Sequence, residues 1–413
     1  MRAPVRVGLA LLLGLGALVL LPAFPPDKTR IDFETAVYYP ARAFLDGLDP
    51  YDQGPYLARY PVQAPFPPFL PAALLLHAPL ALLPVGPSSA VYLCLSLALV
   101  VVSARLALGF AHRSPRWSTV ITIAALVLLS RPGRLALRLG QLTFEPVSGT
   151  YAALWFGRRS PWLGGAGLLV ASIKPTFGVP LALLMLARRQ VRSVIIGAGL
   201  ILTVNSAVAT ILISRAGGTA AFTAHVAATF DSARQGIVET SNPIMTGLRT
   251  DAASFIGRLQ GRPLRAGMQA LVGLVVLGVA AGVLLALERR GVPLLEGVPA
   301  GFICVAILLS QYHQAYDLSL LILPAVVMVL GPPNTVPPGR SARLVLAGLF
   351  LLLGANYLAS EGALARLSLA RETPGWRLVT AVNATALLLA YTIYAATLIH
   401  SWRRTKADVA ELG

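Results

Sequence analysis

The sequence predicts an all-α fold of the polytopic integral-membrane kind. Three observations carry that reading. The 413 residues are 56% hydrophobic and only 12% charged, with a mean hydropathy of +0.71. A water-soluble chain of this length needs far more charge on its surface. The apolar residues also come in blocks, separated by short basic or Pro/Gly-rich connectors. In hydrocarbon such blocks must satisfy their own backbone, and helices do so within a single segment. The charge balance is the third observation: 34 Lys and Arg face 17 Asp and Glu, a net +17. The cations cluster at block ends, as the positive-inside rule and anionic head groups dictate. No Lys/Arg tract with interleaved aromatics occurs, so membrane lipids are the expected partners and nucleic acid is not. Cys94 and Cys304 sit inside apolar blocks without zinc spacing or a disulfide framework, and read as core packing residues.

The elements follow in order. Residues 5–24 form the first apolar run, longer than a usual signal-peptide core and without a clear cleavage site. It is read as a retained helix, with Arg2 and Arg6 holding its start in the cytoplasm. A polar stretch to residue 65 then lies outside. Residues 66–84 are apolar but broken by Pro71, Pro79 and Pro84, which suits an interfacial or re-entrant helix. That choice also leaves Arg113, Arg116, Arg158, Arg159, Arg188, Arg189 and Arg192 on the cytoplasmic side.

Spans are expected at 88–110, 117–130, 144–156, 162–173, 177–187, 194–214, 268–287, 298–310, 318–330, 344–358 and 378–400. A long external segment, 215–265, interrupts them. The whole reads as one domain, 1–413: a first helix 1–24, an extracytoplasmic loop with interfacial helices 25–87, a bundle 88–400 and a cytoplasmic tail 401–413. Roughly 11–13 transmembrane helices are expected.

Several of these blocks are too short to cross about 30 Å of hydrocarbon. The short ones meet at polar breaks: RLGQ (138–141), SIKP (172–175) and SQYHQAYD (310–317). By the alternation above, all three face outside. Irregular backbone at membrane depth is tolerated where it lines a cavity or packs in protein, so the breaks are expected to rim one external cavity.

Chemistry is expected there. Asp32 lies at the membrane boundary with Phe33, Tyr38 and Tyr39 close behind, where a carboxylate can serve as general base. Asp46, Asp49 and Asp52 read as loop and turn chemistry around Gly47 and Pro50. Arg131, Arg134 and Arg138, at i, i+3 and i+7, share a helical face: either interfacial snorkelling or a cradle for phosphate. Lys174, before Pro175 in a break, needs water, an acid or a phosphate. His313, Gln314, Tyr316 and Asp317 read as a satisfied polar network or as contacts to a sugar or phosphate. No HExxH, Walker loop, dinucleotide loop or GxSxG elbow is present, which counts against ATP-driven and hydrolase chemistry.

These features, in this order, resemble glycosyltransferase family 87 of the GT-C class. The residues that carry the resemblance are Asp32, Tyr38, Tyr39, Ala41, Gly47, Pro50 and Tyr51, then Phe66 to Leu70, Pro79 to Pro84, Gly140 with Gln141, Lys174 with Pro175, and His313 to Asp317. The resemblance implies a GT-C-type helical fold in the plasma (inner) membrane, with both termini cytoplasmic and the active site outside. It implies an inverting enzyme that moves a sugar, typically mannose, from a polyprenyl-phosphate donor to a hydroxyl of a glycan or glycolipid. The donor is a co-substrate, and neither a cofactor nor a metal is expected. Asp32 is the implied base, with Lys174, Arg134, Arg138 and His313 at the donor phosphate and Tyr38, Gln141, Tyr316 and Asp317 at the sugar or acceptor. Asn242, in the external segment, is a further expected acceptor contact. Two departures bear on the substrates. Leu142 stands where the family often has Asn after Gly-Gln, and only one histidine stands in the late break. A lipid-linked sugar flippase or transporter, or a GT-C enzyme using another sugar such as arabinose, stays open at this point.

Overall fold

The computed structural model describes residues 30–62, 64–291, 296–332, 339–371 and 373–411. The expected first helix, 5–24, lies outside these residues. Among them the chain is all-α and polytopic, with one isolated backbone bridge, Arg249 to Gln314, in place of any strand.

The elements are α1 (31–45, containing one wide turn over Glu34–Tyr38), α2 (Gln53–Arg59), α3 (Ala72–Ala81), α4 (Val85–Phe110), α5 (Trp117–Leu129) and α6 (Arg131–Leu139). Then come α7 (Phe144–Phe156), α8 (Pro161–Ser172), α9 (Pro175–Ala187), α10 (Val191–Ala216), α11 (Thr219–Ser241) and α12 (Ala252–Gln260). The last are α13 (Ala266–Arg290), α14 (Gly297–Ser310), α15 (Ala315–Leu330, tightly wound over Ala315–Leu321), α16 (Arg340–Ala355), α17 (Glu361–Arg366) and α18 (Pro374–Glu411).

Five of them are long and apolar enough to cross a bilayer: α4, α10, α13, α16 continued through Ala359, and α18. The pair α5 and α6 makes a sixth only as a broken span, bent by 73°. Ser130 sets that bend. It caps α6 through its side chain, which accepts from the Gly133 N–H, and Pro132 in the first turn starts the new helix. The expected interfacial segment 66–84 holds α3, whose 10 residues are too short to cross alone. Within the external segment the chain is largely helical, as α11 and α12. The helix of the last span does not end at residue 400 but runs on unbroken to Glu411, its membrane-crossing stretch being Pro374–Arg403.

At the centre stands α14, with all 14 of its residues buried. A helix apolar all round belongs in the middle of a bundle. It packs against α9, α13, α15 and α18. Cys304 is buried within it; Cys94, expected in the core, instead lies exposed on α4. The outer face is apolar, as lipid requires: Leu202, Leu351 and Leu378 are each at least 70% exposed.

Close helix approach replaces hydrophobic drive in such a setting. Between α7 and α8 the backbones touch at glycines. A Cβ on Gly149 would lie 2.6 Å from the Ala171 nitrogen, and one on Gly167 would lie 2.5 Å from the Ala153 nitrogen. This packing turns the chain so that the break after α6, the break after α8 and the break after α14 gather at one end. The other end is basic: Glu288 pairs with Arg158 at 2.5 Å and Arg188 at 3.1 Å, and Glu296 pairs with Arg159 at 2.8 Å.

The acids of the first loop hold its shape. Asp46 pairs with Arg42 at 3.0 Å and accepts from the Tyr60 hydroxyl at 2.8 Å. Asp49 accepts from the Tyr51 N–H and lies 3.0 Å from His225 of α11.

Gly167→Val is expected to prevent close α7–α8 packing. Overpacking of this kind costs about 1–3 kcal/mol when neighbours can move, and here the neighbours are backbone. The yield of monodisperse protein in detergent checks this, with the exposed Gly199, which has nothing within 4 Å, as the tolerant control for the same substitution.

Candidate active site

The site begins where α1 crosses the end of α6. Arg30 takes a left-handed conformation, φ 75°, and its N–H donates to the Arg138 carbonyl at 3.2 Å. The first turn of α1 is thereby pinned to the last turn of α6. Gly140 ends α6 at φ 64°, and a Cβ there would lie 2.5 Å from the Phe33 Cβ. Glycine is needed twice over, for the backbone angle and for the crossing. The crossing delivers Gln141 to Asp32, whose Oδ2 accepts from Gln141 Nε2 at 2.9 Å. The Oε1 of Gln141 is buried and has no protein partner.

Asp32 is only partly exposed, in a densely packed recess. Burial pushes its carboxyl up from 3.8 to about 6, even though the Lys174 charge and the Gln141 hydrogen bond both pull it down. A carboxyl near 6 is half-charged just below neutral pH, the range where a general base works well.

Opposite stands a second cluster. Pro175 starts α9, and the residue before a proline is driven out of helical geometry. Lys174 accordingly sits extended in the break, φ −96° and ψ 107°. Its Nζ lies 3.1 Å from Asp317 Oδ1 and 4.9 Å from the centre of the Tyr316 ring. The other oxygen of Asp317 meets His313 Nδ1 at 3.1 Å and the Gln314 N–H at 3.2 Å. Asp317 thus holds a lysine, a histidine and a backbone donor at once, while Gln314 and Asp317 cap the first turn of α15 reciprocally.

His313 is fully buried, with its ring edge-on to Phe177 at 4.8 Å. A carboxylate at Nδ1 places the ring proton there, which leaves Nε2 with no protein partner. Tyr316 lies beside Gln141 and within the field of Asp32, so it bridges the two halves of the site.

Asp32, Gln141, Lys174, His313, Tyr316 and Asp317 therefore come together. The remaining candidates are placed differently. The Tyr38 hydroxyl donates to the Leu83 carbonyl at 2.8 Å, six residues beyond Asp32. Asn242 accepts from the Ile244 N–H and shapes its own turn. The three arginines of α6 differ in depth and partners. Arg131 is buried and donates to the Ala359 carbonyl, Arg134 leans on Tyr357 at 5.9 Å, and Arg138 is exposed.

Sequence reasoning missed the layer behind Gln141. His77 of α3 and Glu145 of α7 form a buried pair at 3.3 Å, and Tyr92 donates to the Gln141 carbonyl at 3.4 Å. Two ionisable residues in apolar surroundings were the available signal. Arg249 and Asp251, bound at 2.6 Å before α12, brace the same end: the Thr250 N–H donates to the His313 carbonyl at 3.0 Å. Among the described residues no three of His, Cys, Asp and Glu gather as a metal-ligand group.

An apolar groove of about 560 Å³ opens between α5, α15 and α16. Leu126, Ile322, Val326 and Leu351 line it, and Ser130, Pro132 and Tyr357 form the part nearest α6.

A helical membrane protein with an ionisable cluster at one end of its bundle, an acid near neutrality among unpaired hydrogen-bonding groups, and an apolar groove alongside has the parts of a membrane glycosyltransferase. The chain belongs to glycosyltransferase family 87: the family's sequence profile matches residues 67–311. The matched region contains Gln141 and Lys174 and excludes Asp32 and the 313–317 cluster. No match to a curated protein was found.

Asp317→Ala is expected to lower the unfolding free energy by about 3–5 kcal/mol, because Lys174 is left buried without its counter-ion. Denaturant unfolding in detergent checks it. A Lys174→Met/Asp317→Leu double variant is expected to recover most of that loss, though not activity.

Proposed function

We propose that this protein is an inverting glycosyltransferase that moves a sugar, mannose in the first instance, from a polyprenyl-phosphate donor to a hydroxyl of a glycan or glycolipid acceptor. The observation that carries the proposal is the arrangement of one base, Asp32, across from one buried cation, Lys174, with Gln141 and Tyr316 between them.

The chemistry asks little else of the protein. The acceptor hydroxyl attacks the anomeric carbon as the bond from that carbon to the phosphate oxygen breaks. The hydroxyl proton passes to Asp32, and the electron pair leaves with the phosphate. Phosphate departs without an acid, so a single base suffices. Charge building on the leaving group is stabilised by a fixed cation in a dry site, which is the place given to Lys174. His313 Nε2 and Gln141 Oε1, both acceptors without protein partners, are the groups assigned to sugar hydroxyls, with His313 able to give an N–H to the donor phosphate only when protonated. Because the donor is already charged and Lys174 meets it, the mechanism calls for no metal. Arg134 lies over Tyr357, which lines the groove, and is assigned to the donor's approach.

The groove beside α6 supports a lipid donor. Its Leu, Ile and Val lining suits an isoprenoid chain, and it ends at the bend that carries α6 into the site. The proposed setting is a plasma membrane, with the site outside the cytoplasm and the basic Arg158, Arg159 and Arg188 end inside. A flippase or transporter built on the same cations has no use for a base at Asp32.

Asp32→Asn separates these readings. Transfer of labelled sugar from the polyprenyl-phosphate donor is expected to fall by at least about 100-fold, the lower end for loss of a general base. Retained transfer in this variant rules Asp32 out as the base. In the wild type, kcat/KM is expected to rise with pH through about 6, as Asp32 loses its proton. The stability effect has the opposite sign. A carboxyl raised by folding stabilises the folded state below its ordinary 3.8, and that contribution is lost as pH rises through about 6. At pH 7 Asp32→Asn is therefore expected to leave thermal stability equal or higher while activity is lost.

A further inference from the structure

Behind Gln141 lies a layer of polar groups that the proposed chemistry does not use. His77 of α3 and Glu145 of α7 are 2% and 5% exposed, and His77 Nε2 lies 3.3 Å from both carboxylate oxygens of Glu145. Two ionisable groups taken out of water in a membrane protein are costly. Apolar residues in place of such a pair often leave stability unchanged or improve it, so stability does not explain the pair. Its place relative to Asp32 and Gln141 does.

Two paths lead from the pair to the base. The first runs through α4. The Tyr92 ring stands edge-on to His77 at 6.3 Å and packs at 5.2 Å on Phe33, the neighbour of Asp32. Its hydroxyl lies within the field of both Glu145 and Asp32 and donates to the Gln141 carbonyl at 3.4 Å. Gln141 in turn donates to Asp32. The second path runs through α3, which His77 ties to α7. Helix α1 packs along α3, where Tyr38 and Arg42 donate to the Leu83 and Ala81 carbonyls. Asp32 and Gln141 stand on separate elements, and both are thereby fixed to one buried pair.

We infer that Tyr92, seated by the His77–Glu145 pair, is a positioning residue for the transfer: it fixes Gln141, and Gln141 holds the Asp32 carboxylate toward the acceptor hydroxyl. The inference rests on the transferase reading above. It has a consequence for the protonation of Asp32. The hydrogen bond from Gln141 favours the charged carboxylate. The titratable groups that face Asp32 from other elements are Lys174, Tyr92 and Tyr316. Removing the Tyr92 hydroxyl leaves the Lys174 charge in place and loosens Gln141, so the Asp32 carboxyl is expected to rise further.

The experiment uses Tyr92→Phe, which keeps the ring and removes the hydroxyl. Its control is Tyr151→Phe, which removes a buried hydroxyl bonded to Leu320 and Leu323 on the same bundle. With the polyprenyl-phosphate sugar as donor and a mannoside acceptor, Tyr92→Phe is expected to lower kcat/KM at least about tenfold, as a misplaced reacting group does. The pH midpoint of kcat/KM is expected to rise from about 6 by about 0.5–1 unit. Tyr151→Phe is expected to lower thermal stability and leave the midpoint in place. In a Gln141→Leu background, Tyr92→Phe is expected to change kcat/KM by less than about twofold, because its route to Asp32 is already cut. An unmoved midpoint in Tyr92→Phe, or effects of Tyr92→Phe and Gln141→Leu that multiply, overturns the inference. Should Tyr92→Phe not fold, Glu145→Gln, which keeps the shape and removes the charge, is read against Gln141→Leu in the same way. Infrared titration of the Asp32 carboxyl, identified as the band lost in Asp32→Asn, reads the midpoint without any transfer. If the wild type transfers no sugar and this midpoint still rises in Tyr92→Phe, the transferase reading fails and the positioning stands. If the wild type transfers sugar and the midpoint does not move, the positioning alone fails.

Discussion

The buried carboxylate of Asp317 is the interaction on which the rest of the site depends. A lysine placed alone at membrane depth is costly, and Lys174 has a counter-ion only because Asp317 reaches it at 3.1 Å. The same carboxylate orients His313 and caps α15 through the Gln314 N–H. A break after α8 and a break after α14 are thereby locked together, although 143 residues separate their contacting side chains. Such a pair contributes little net stability beside an apolar substitute, since desolvation offsets most of its attraction. Its value lies in fixing a cation where a leaving phosphate would sit.

The opposite wall is built on a different constraint, the absence of side chains. Gly140 lets α6 cross α1 beside Phe33, and that crossing alone brings Gln141 within 2.9 Å of Asp32. Glycines between α7 and α8 act on a larger scale, drawing two short helices together so that the breaks at their ends share one end of the bundle. Backbone contact of this sort is specific because it leaves no room to slide.

Asp32 and Asp317 show how burial acts in two directions. Asp317 is compensated on both oxygens, by the Lys174 ammonium on one and by the His313 ring and a backbone N–H on the other. Asp32 has one neutral hydrogen bond and a more distant lysine, so burial prevails and its carboxyl rises to about 6. Uncompensated burial is a cost to folding that a structural residue would have no reason to keep. The apolar groove between α5, α15 and α16 lies alongside, with Leu126 and Leu351 open to lipid and its end at Ser130, Pro132 and Tyr357.

Composition and block pattern were enough to establish a helical membrane protein, because the bilayer admits so few backbone solutions. The polar breaks were equally legible, since RLGQ, SIKP and SQYHQAYD interrupt apolar runs that have no other reason to be polar. From these came Gln141, Lys174 and the 313–317 cluster, while Asp32 came from its place at the membrane boundary. Periodicity at α6 gave the spacing of three arginines but not their depth: Arg131 is buried against the Ala359 carbonyl and Arg138 is exposed. The shortness of several blocks was legible too: α3, placed in the interface, and α8, α9 and α14 are each too short to cross alone. The sequence by itself determined which residues are chemically out of place in lipid. Only the tertiary structure decided which of them meet, because pairing across 143 residues depends on glycine contacts and helix crossings that no local pattern encodes.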